Sequence, residues 1–228
     1  MKSISHCQNL GNNIVAFGVD DKGARREIYV VDVRAGISFP TGTLPGYFVL
    51  IGRQREQTVS GKNVLLFMAE GEDLMHEAMF ATLTDACAKY KCRTVYADLP
   101  TQNRRGGVGG YDDLWRYLRN KKLKIALLPA PASDDVEYGK ALIREFWTDK
   151  AMDLPELYTR PTTLRKHLKI MTGGLAEPGK DNKTPNEEAL YAFHAMRYLV
   201  CGFVKYNNMI PFDVGVETSP RANAKGWT

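Results

Sequence analysis

The chain has 228 residues, enough for one domain with a sizeable core, and its 44% hydrophobic and 25% charged content is that of a globular protein. No apolar run approaches the ~18 residues a membrane-spanning helix needs, and the N-terminus has no apolar signal core, so no membrane and a cytoplasmic location are expected. A net charge of +5 permits a polyanionic partner without requiring one.

Residues 14–19 (Ile-Val-Ala-Phe-Gly-Val) form an apolar run of strand length that suits a central strand buried on both faces and ends at Asp20-Asp21. Residues 27–33 read as a second strand, which makes 14–33 a hairpin closed by a loop bearing Gly23. Residues 36–61 are rich in Gly, Pro, Thr and Arg and read as an insertion, with one possible extra strand at 47–51. Val64–Met68 is expected as the third main strand. From Glu72 to Lys89, Leu74, Met75, Ala78, Met79, Leu83, Ala86 and Cys87 recur on one helix face.

A strand over 93–97 then delivers Asp98 into a stretch holding Arg104, Arg105 and four glycines, Gly106, Gly107, Gly109 and Gly110. An acid placed beside a basic, glycine-rich loop suits phosphate chemistry; on this stretch alone, a surface aspartate beside an ordinary loop is the favoured reading. An amphipathic helix follows from Tyr111, with Leu114, Trp115 and Leu118 at helical spacing, then a strand over 123–128. Tyr111 and Trp115 read as core or loop anchors, and Asp112 and Asp113 as helix-capping acids. Ser133 and Asp134-Asp135 open a helix to about Trp147. The stretch 150–183 is punctuated by Pro and Gly and is basic. Thr184-Pro185-Asn186-Glu187 is a capping box with proline at the first helical position, opening a last helix to about Val204. Residues 1–210 therefore form one domain, and 211–228 a loose polar tail. Cys7, Cys87, Cys92 and Cys201 show no Cys-x-x-Cys pair and read as reduced structural thiols.

Three antiparallel strands followed by alternating helices and strands make a mixed α/β sheet. The opening hairpin excludes a plain dinucleotide-binding fold. Ser60-Gly61-Lys62-Asn63 lacks the spacing and the hydroxyl of a phosphate loop.

With Gly18-Val19-Asp20 on the first strand and Tyr96-Ala97-Asp98 after the fourth, the chain resembles the ribonuclease H-like nucleases. Phe17–Asp21, Ala97-Asp98 with the glycines and Tyr111–Leu114, and Ala195–Leu199 are similar to passages of the nuclease domain of phage large terminases. The resemblance spans roughly residues 14–204. It implies a ribonuclease H-like mixed sheet with a late C-terminal helix, and a metal-dependent DNA endonuclease that cuts during viral DNA packaging. Double-stranded DNA, a packaging ATPase and a portal are the implied partners. Terminases of this type carry Asp immediately before the Ala-x-Arg-Tyr segment, where this chain has His194. The third metal ligand is thus left among Glu187, Glu188 and His194, of which Glu187 also suits the capping box.

Phosphodiester hydrolysis by two Mg or Mn ions needs clustered hard oxygen ligands. Under the resemblance, Asp20 bridges both ions, Asp98 holds one, and Glu187, Glu188 or His194 the other. Asp21 reads as a turn residue, and Glu70 as a carboxylate with a smaller claim on the cluster. Arg104 and Arg105, with Arg160, Arg165, Lys166 and Lys169, are the candidate phosphate contacts. Two alternatives stay open: a junction-resolvase or integrase-like nuclease, and a protein of the same fold that binds nucleic acid without cutting it.

Overall fold

β-Branched and aromatic side chains crowd the first part of the chain, which folds as β1 (Ser3–Leu10), β2 (Asn13–Val19), β3 (Arg25–Ser38), β4 (Gly46–Gln54) and β5 (Val64–Asp73). Helix α1 (His76–Lys89) leads into β6 (Thr94–Ala97), α2 (Gly110–Asn120) and β7 (Ala126–Pro129). Then come α3 (Val136–Trp147), β8 (Glu156–Tyr158) and α4 (Glu187–Asn207). The computed structural model describes residues 3–11, 13–19, 23–55, 64–98, 109–130, 136–147, 156–158 and 187–207.

β3, β4 and β5 are successively antiparallel, β6 lies parallel to β3 on its other edge, and β7 lies parallel to β6. The resulting order β5-β4-β3-β6-β7 is the ribonuclease H-like mixed sheet expected from the sequence, extended by β2 and β1 and by β8 beside β5. The strands that fill this core are not the ones expected. Residues 47–51 are no accessory strand in an insertion: they are the middle of β4, buried on both faces. The run 14–19 is not the central strand. That place belongs to the second half of β3.

β3 has two halves because its pairing with β4 slips between Val31 and Arg34, around Asp32, whose φ is 55°. A short polar side chain tolerates that left-handed conformation better than most. Before the bulge β3 pairs with β2; beyond it, Arg34–Ile37 pairs with Thr94–Ala97. β2 and β6 therefore follow one another along the same edge of β3 and do not pair with each other.

Helices cover both faces of the sheet. Met79, Phe80 and Leu83 of α1 and Leu114 and Leu118 of α2 bury one face, against Ile37, Phe48 and Leu50. Leu142 and Ile143 of α3 and the run Ala192–Phe203 of α4 bury the other, against Tyr47, Val49 and Tyr96. α4 lies directly on the backbone of β3. A Cβ on Gly36 would stand 2.1 Å from the Ala195 carbonyl oxygen and 2.9 Å from Leu199 Cβ. Arg34 fastens the far end of the helix, donating to Tyr96 Oη at 2.6 Å and to the Gly202 carbonyl at 3.4 Å, while Asp32 holds its guanidinium at 2.8 and 2.9 Å. Gly36→Ala should therefore lower the free energy of unfolding by about 2–3 kcal/mol, the cost of overpacking a tight core. Urea denaturation checks this; an unchanged midpoint would show that α4 stands further off the sheet.

Candidate active site at the carboxyl end of β6

β6 ends at Ala97, paired with Ile37, so Asp98 emerges at the carboxyl end of the parallel strands, beside Ser38. The same cross-sheet row continues through Tyr47 of β4 to Glu72 of β5. α4 crosses above. Its Tyr198 phenol meets the Asp98 carboxylate and the Arg197 guanidinium. Burial and then the Asp98 charge push the Tyr198 phenol up to about 12, so it remains a neutral donor.

Arg197 is 2% exposed, and its guanidinium lies 4.8 Å from the centre of the Tyr198 ring. Its stem runs through a slot left by Gly139 of α3, where a Cβ would come within 2.2 Å of Arg197 Cγ and Cδ. A buried cation needs compensating partners. The Tyr198 ring face lies against the guanidinium, His194 Nδ1 faces Arg197 Nη2 at 3.2 Å, and Nε has no hydrogen-bond partner among the described residues. Burial, followed by the Arg197 charge, pushes the His194 imidazole down to about 4. His194 is therefore neutral at pH 7, and a guanidinium can only donate, so Nδ1 accepts and the ring proton sits on Nε2. The ring stacks on Tyr198 at 6.0 Å and 16°. At the outer edge, the Tyr191 hydroxyl hydrogen-bonds Thr41 in the turn between β3 and β4.

Glu70 faces the same side of the sheet from β5 and accepts from Tyr47 Oη at 3.2 Å. Burial is the largest influence on it, and with Glu72 nearby its carboxyl is pushed up to about 7 despite that bond. It stands in the row of Gly36 and Tyr96, with α4 packed on Gly36, and so belongs to the rim.

Of the residues singled out in the sequence, Asp98 and His194 are brought to one place. Asp20 lies outside the described residues. β2, which precedes it, ends with Val19 paired to Arg25, the first residue of β3. Val19 and Asp98 thus lie at opposite ends of β3, roughly 40 Å apart at about 3.3 Å per residue. The ribonuclease H-like sheet implied by the resemblance would set strands 14–19 and 94–97 side by side; each pairs instead with β3. Glu187 and Glu188 open α4, but their side chains are not described. Asp21, Arg104, Arg105, Arg160, Arg165, Lys166 and Lys169 lie outside the described residues, as do Thr184 and the tail 211–228. Asp113 does not cap α2, whose N-cap is Gly109; it faces His76 Nδ1 at 3.4 Å. Trp115 is no core anchor, being 46% exposed.

Among the described residues no three His, Cys, Asp or Glu side chains gather to hold a metal ion. Asp98 is one hard oxygen ligand, and His194 presents an N–H where a ligand needs a lone pair. The described residues therefore do not complete a cation site on their own. Sequence reasoning missed Ser38, Arg197 and Tyr198 as parts of this place. The last two stood in the Ala195–Leu199 passage, but nothing in their spacing announced a buried guanidinium.

No family model and no curated protein matches the sequence. Among solved structures, the nuclease domain of the large terminase of bacteriophage SPP1, with bound Mn, is similar at 16% identity and a TM-score of 0.49, over 77% of this chain and 86% of that one. RuvC of Thermus thermophilus is similar at 8% identity and 0.38, over 76% and 96%. The same protein bound to a Holliday junction substrate gives 10% and 0.37, over 77% and 96%.

Glu70 and His194 oppose each other with pH. Glu70, raised when folded, contributes stability present below about 4.5 and lost as pH rises through about 7. His194, lowered when folded, contributes stability present above about 6.5 and lost as pH falls through about 4. Glu70→Gln should thus gain stability relative to wild type between pH 5 and 8, and His194→Gln between pH 6.5 and 4. Urea midpoints across that range test both; parallel curves for a variant and wild type would exclude the assigned shift.

Proposed function

We propose that this chain is a divalent-metal-dependent DNA endonuclease, the cutting part of a viral packaging machine whose ATPase and portal are separate. The observation that carries this reading is the position of Asp98: a carboxylate at the carboxyl end of the strand parallel to the central strand of a ribonuclease H-like sheet, under the last helix. Bound there, Mg or Mn would supply an activated water and neutralise the leaving oxygen. Asp98 would hold the ion with Glu188 or Glu187 from the start of α4. Tyr198 would steady the carboxylate, and His194, whose Nδ1 meets Arg197, would offer its Nε2–H as a neutral donor. Arg104, Arg105, Arg160, Arg165, Lys166 and Lys169 would place the duplex through its phosphates. Asp20 receives no ligand role in this reading, because β2 ends at the far end of β3.

A second reading, a protein that binds nucleic acid without cutting it, is favoured by Ser38. This buried serine stands on the central strand beside Asp98, where a second carboxylate would be needed to bring two ions together. The two readings separate on plasmid nicking in Mn. Under the first, wild type nicks, and Asp98→Asn lowers the rate at least ~100-fold, as loss of a group acting in the transition state does. Under the second, wild type is silent, while Ser38→Asp, which restores a carboxylate beside Asp98, gains Mn-dependent nicking. Nicking by wild type that survives Asp98→Asn would remove the candidate site from both.

A further inference from the structure

The end of the sheet opposite Asp98 carries a charge pattern that the site does not use. α1 and α2 both stop there, and they stop in the same way. After α1, Cys92 N donates to Cys87 O at 2.9 Å and Lys91 N to Ala88 O at 3.5 Å. After α2, Leu123 N donates to Leu118 O and Lys122 N to Arg119 O, both at 3.0 Å. Each is a Schellman motif, whose left-handed residue is usually glycine because a Cβ is strained there. Here both positions are lysine, Lys91 at φ 54° and Lys122 at φ 52°.

The two turns are neighbours, since they feed β6 and β7, which pair at Thr94 and Ala126, with Ala126 N donating to Arg93 O at 2.8 Å. Around the two lysines stand Lys89, Arg93, Arg116, Arg119, Lys121 and Lys124, all exposed. Residues 86–97 and 114–130 contain these eight cations and no Asp or Glu. The turn between β1 and β2 closes the patch with uncharged residues: Lys91 Nζ donates to Gly11 O, and Asn9 Nδ2 to Lys89 O at 3.3 Å. Asp85, one turn back on α1, is also exposed. Trp115 lies open on α2 with the Arg119 guanidinium 4.7 Å from its ring centre.

Local stability explains part of the pattern. Lys89 and Arg119 sit in last turns, where a cation complements the helix dipole. It does not explain lysine at two positions where glycine is less strained, nor the missing acids, since a surface tuned for solubility mixes both signs. We propose that this end of the molecule is a docking surface for the phosphate backbone of duplex DNA, with Lys91 and Lys122 at its two tips, separate from the site around Asp98. Duplex DNA presents a charge about every 1.7 Å of its axis, denser than the ~3.3 Å residue spacing of an extended acidic peptide. The inference goes beyond cleavage and does not depend on it.

The test uses the full chain in EDTA, a short labelled DNA duplex of arbitrary sequence, and Lys91→Gly combined with Lys122→Gly. Glycine suits both turns better, so Tm should hold or rise by about 2–4 °C per substitution. Affinity should nevertheless fall roughly tenfold, and the salt dependence of log K should flatten by about two phosphate contacts. Unchanged affinity and slope would overturn the proposal. So would affinity lost for poly-glutamate and kept for DNA, which would assign the surface to an acidic protein. If the glycine variant fails to fold, Arg93→Gln with Lys124→Gln carries the same test with the same two outcomes. Because no metal is present, failure of cutting leaves this result untouched.

Discussion

The close seat of α4 on β3 is the constraint on which the rest of the molecule depends. A helix normally stands off a sheet by the length of its side chains. Here Gly36 removes one layer, and the Ala195 carbonyl descends almost onto the strand. That approach sets the height of every α4 side chain over the carboxyl end of β6. Tyr198 reaches Asp98 because Ala195 is down on Gly36, one turn earlier. Arg34 secures the other end through Tyr96 and Gly202, so the helix is held at two points along its length.

The same economy of space places the guanidinium of Arg197. Gly139 leaves α3 a gap that the Arg197 stem fills, and the charge is then met by polar partners and an aromatic face. Such an arrangement is strongly coupled. Removing one member leaves a buried charge without compensation, which costs more than the lost bond alone. Asp98, half-buried at the end of β6, and the buried Arg197 guanidinium both meet the Tyr198 phenol, while Arg197 Nε is left without a hydrogen-bond partner among the described residues.

Elements with a strong local period were legible in the sequence. α1, β6 and α2 fall within a few residues of their expected limits, because their apolar faces repeat at 3.6 or 2. The centre of the sheet was not. Val31-Asp32-Val33 reads as the end of a strand, yet Asp32 only bulges it, and β3 continues for five more residues. Gly36 and Gly46 read as loop punctuation, but each sits where another group comes close: Ala195 O at Gly36, Pro40 and the Met79 sulfur at Gly46. Once those glycines were taken for a loop, 14–19 became the first core strand and Asp20 the first acid. The position of Asp98 at the end of β6 was legible, because that short strand announces itself locally. Ser38 could not be found, since its meaning comes from a pairing 60 residues away.

His194 shows what the chemistry of the place turns on. An imidazole on a helix reads from sequence as a ligand or as a bystander, and only its neighbours decide. Burial and the adjacent guanidinium keep it neutral, and the guanidinium also takes its Nδ1 lone pair. The remaining nitrogen must then carry the proton. To bind a cation, His194 would have to move that proton and give up the Arg197 contact, exposing a buried charge at the same moment. The resting state of His194 is therefore a neutral imidazole, with Nδ1 turned to the Arg197 guanidinium and its proton on Nε2.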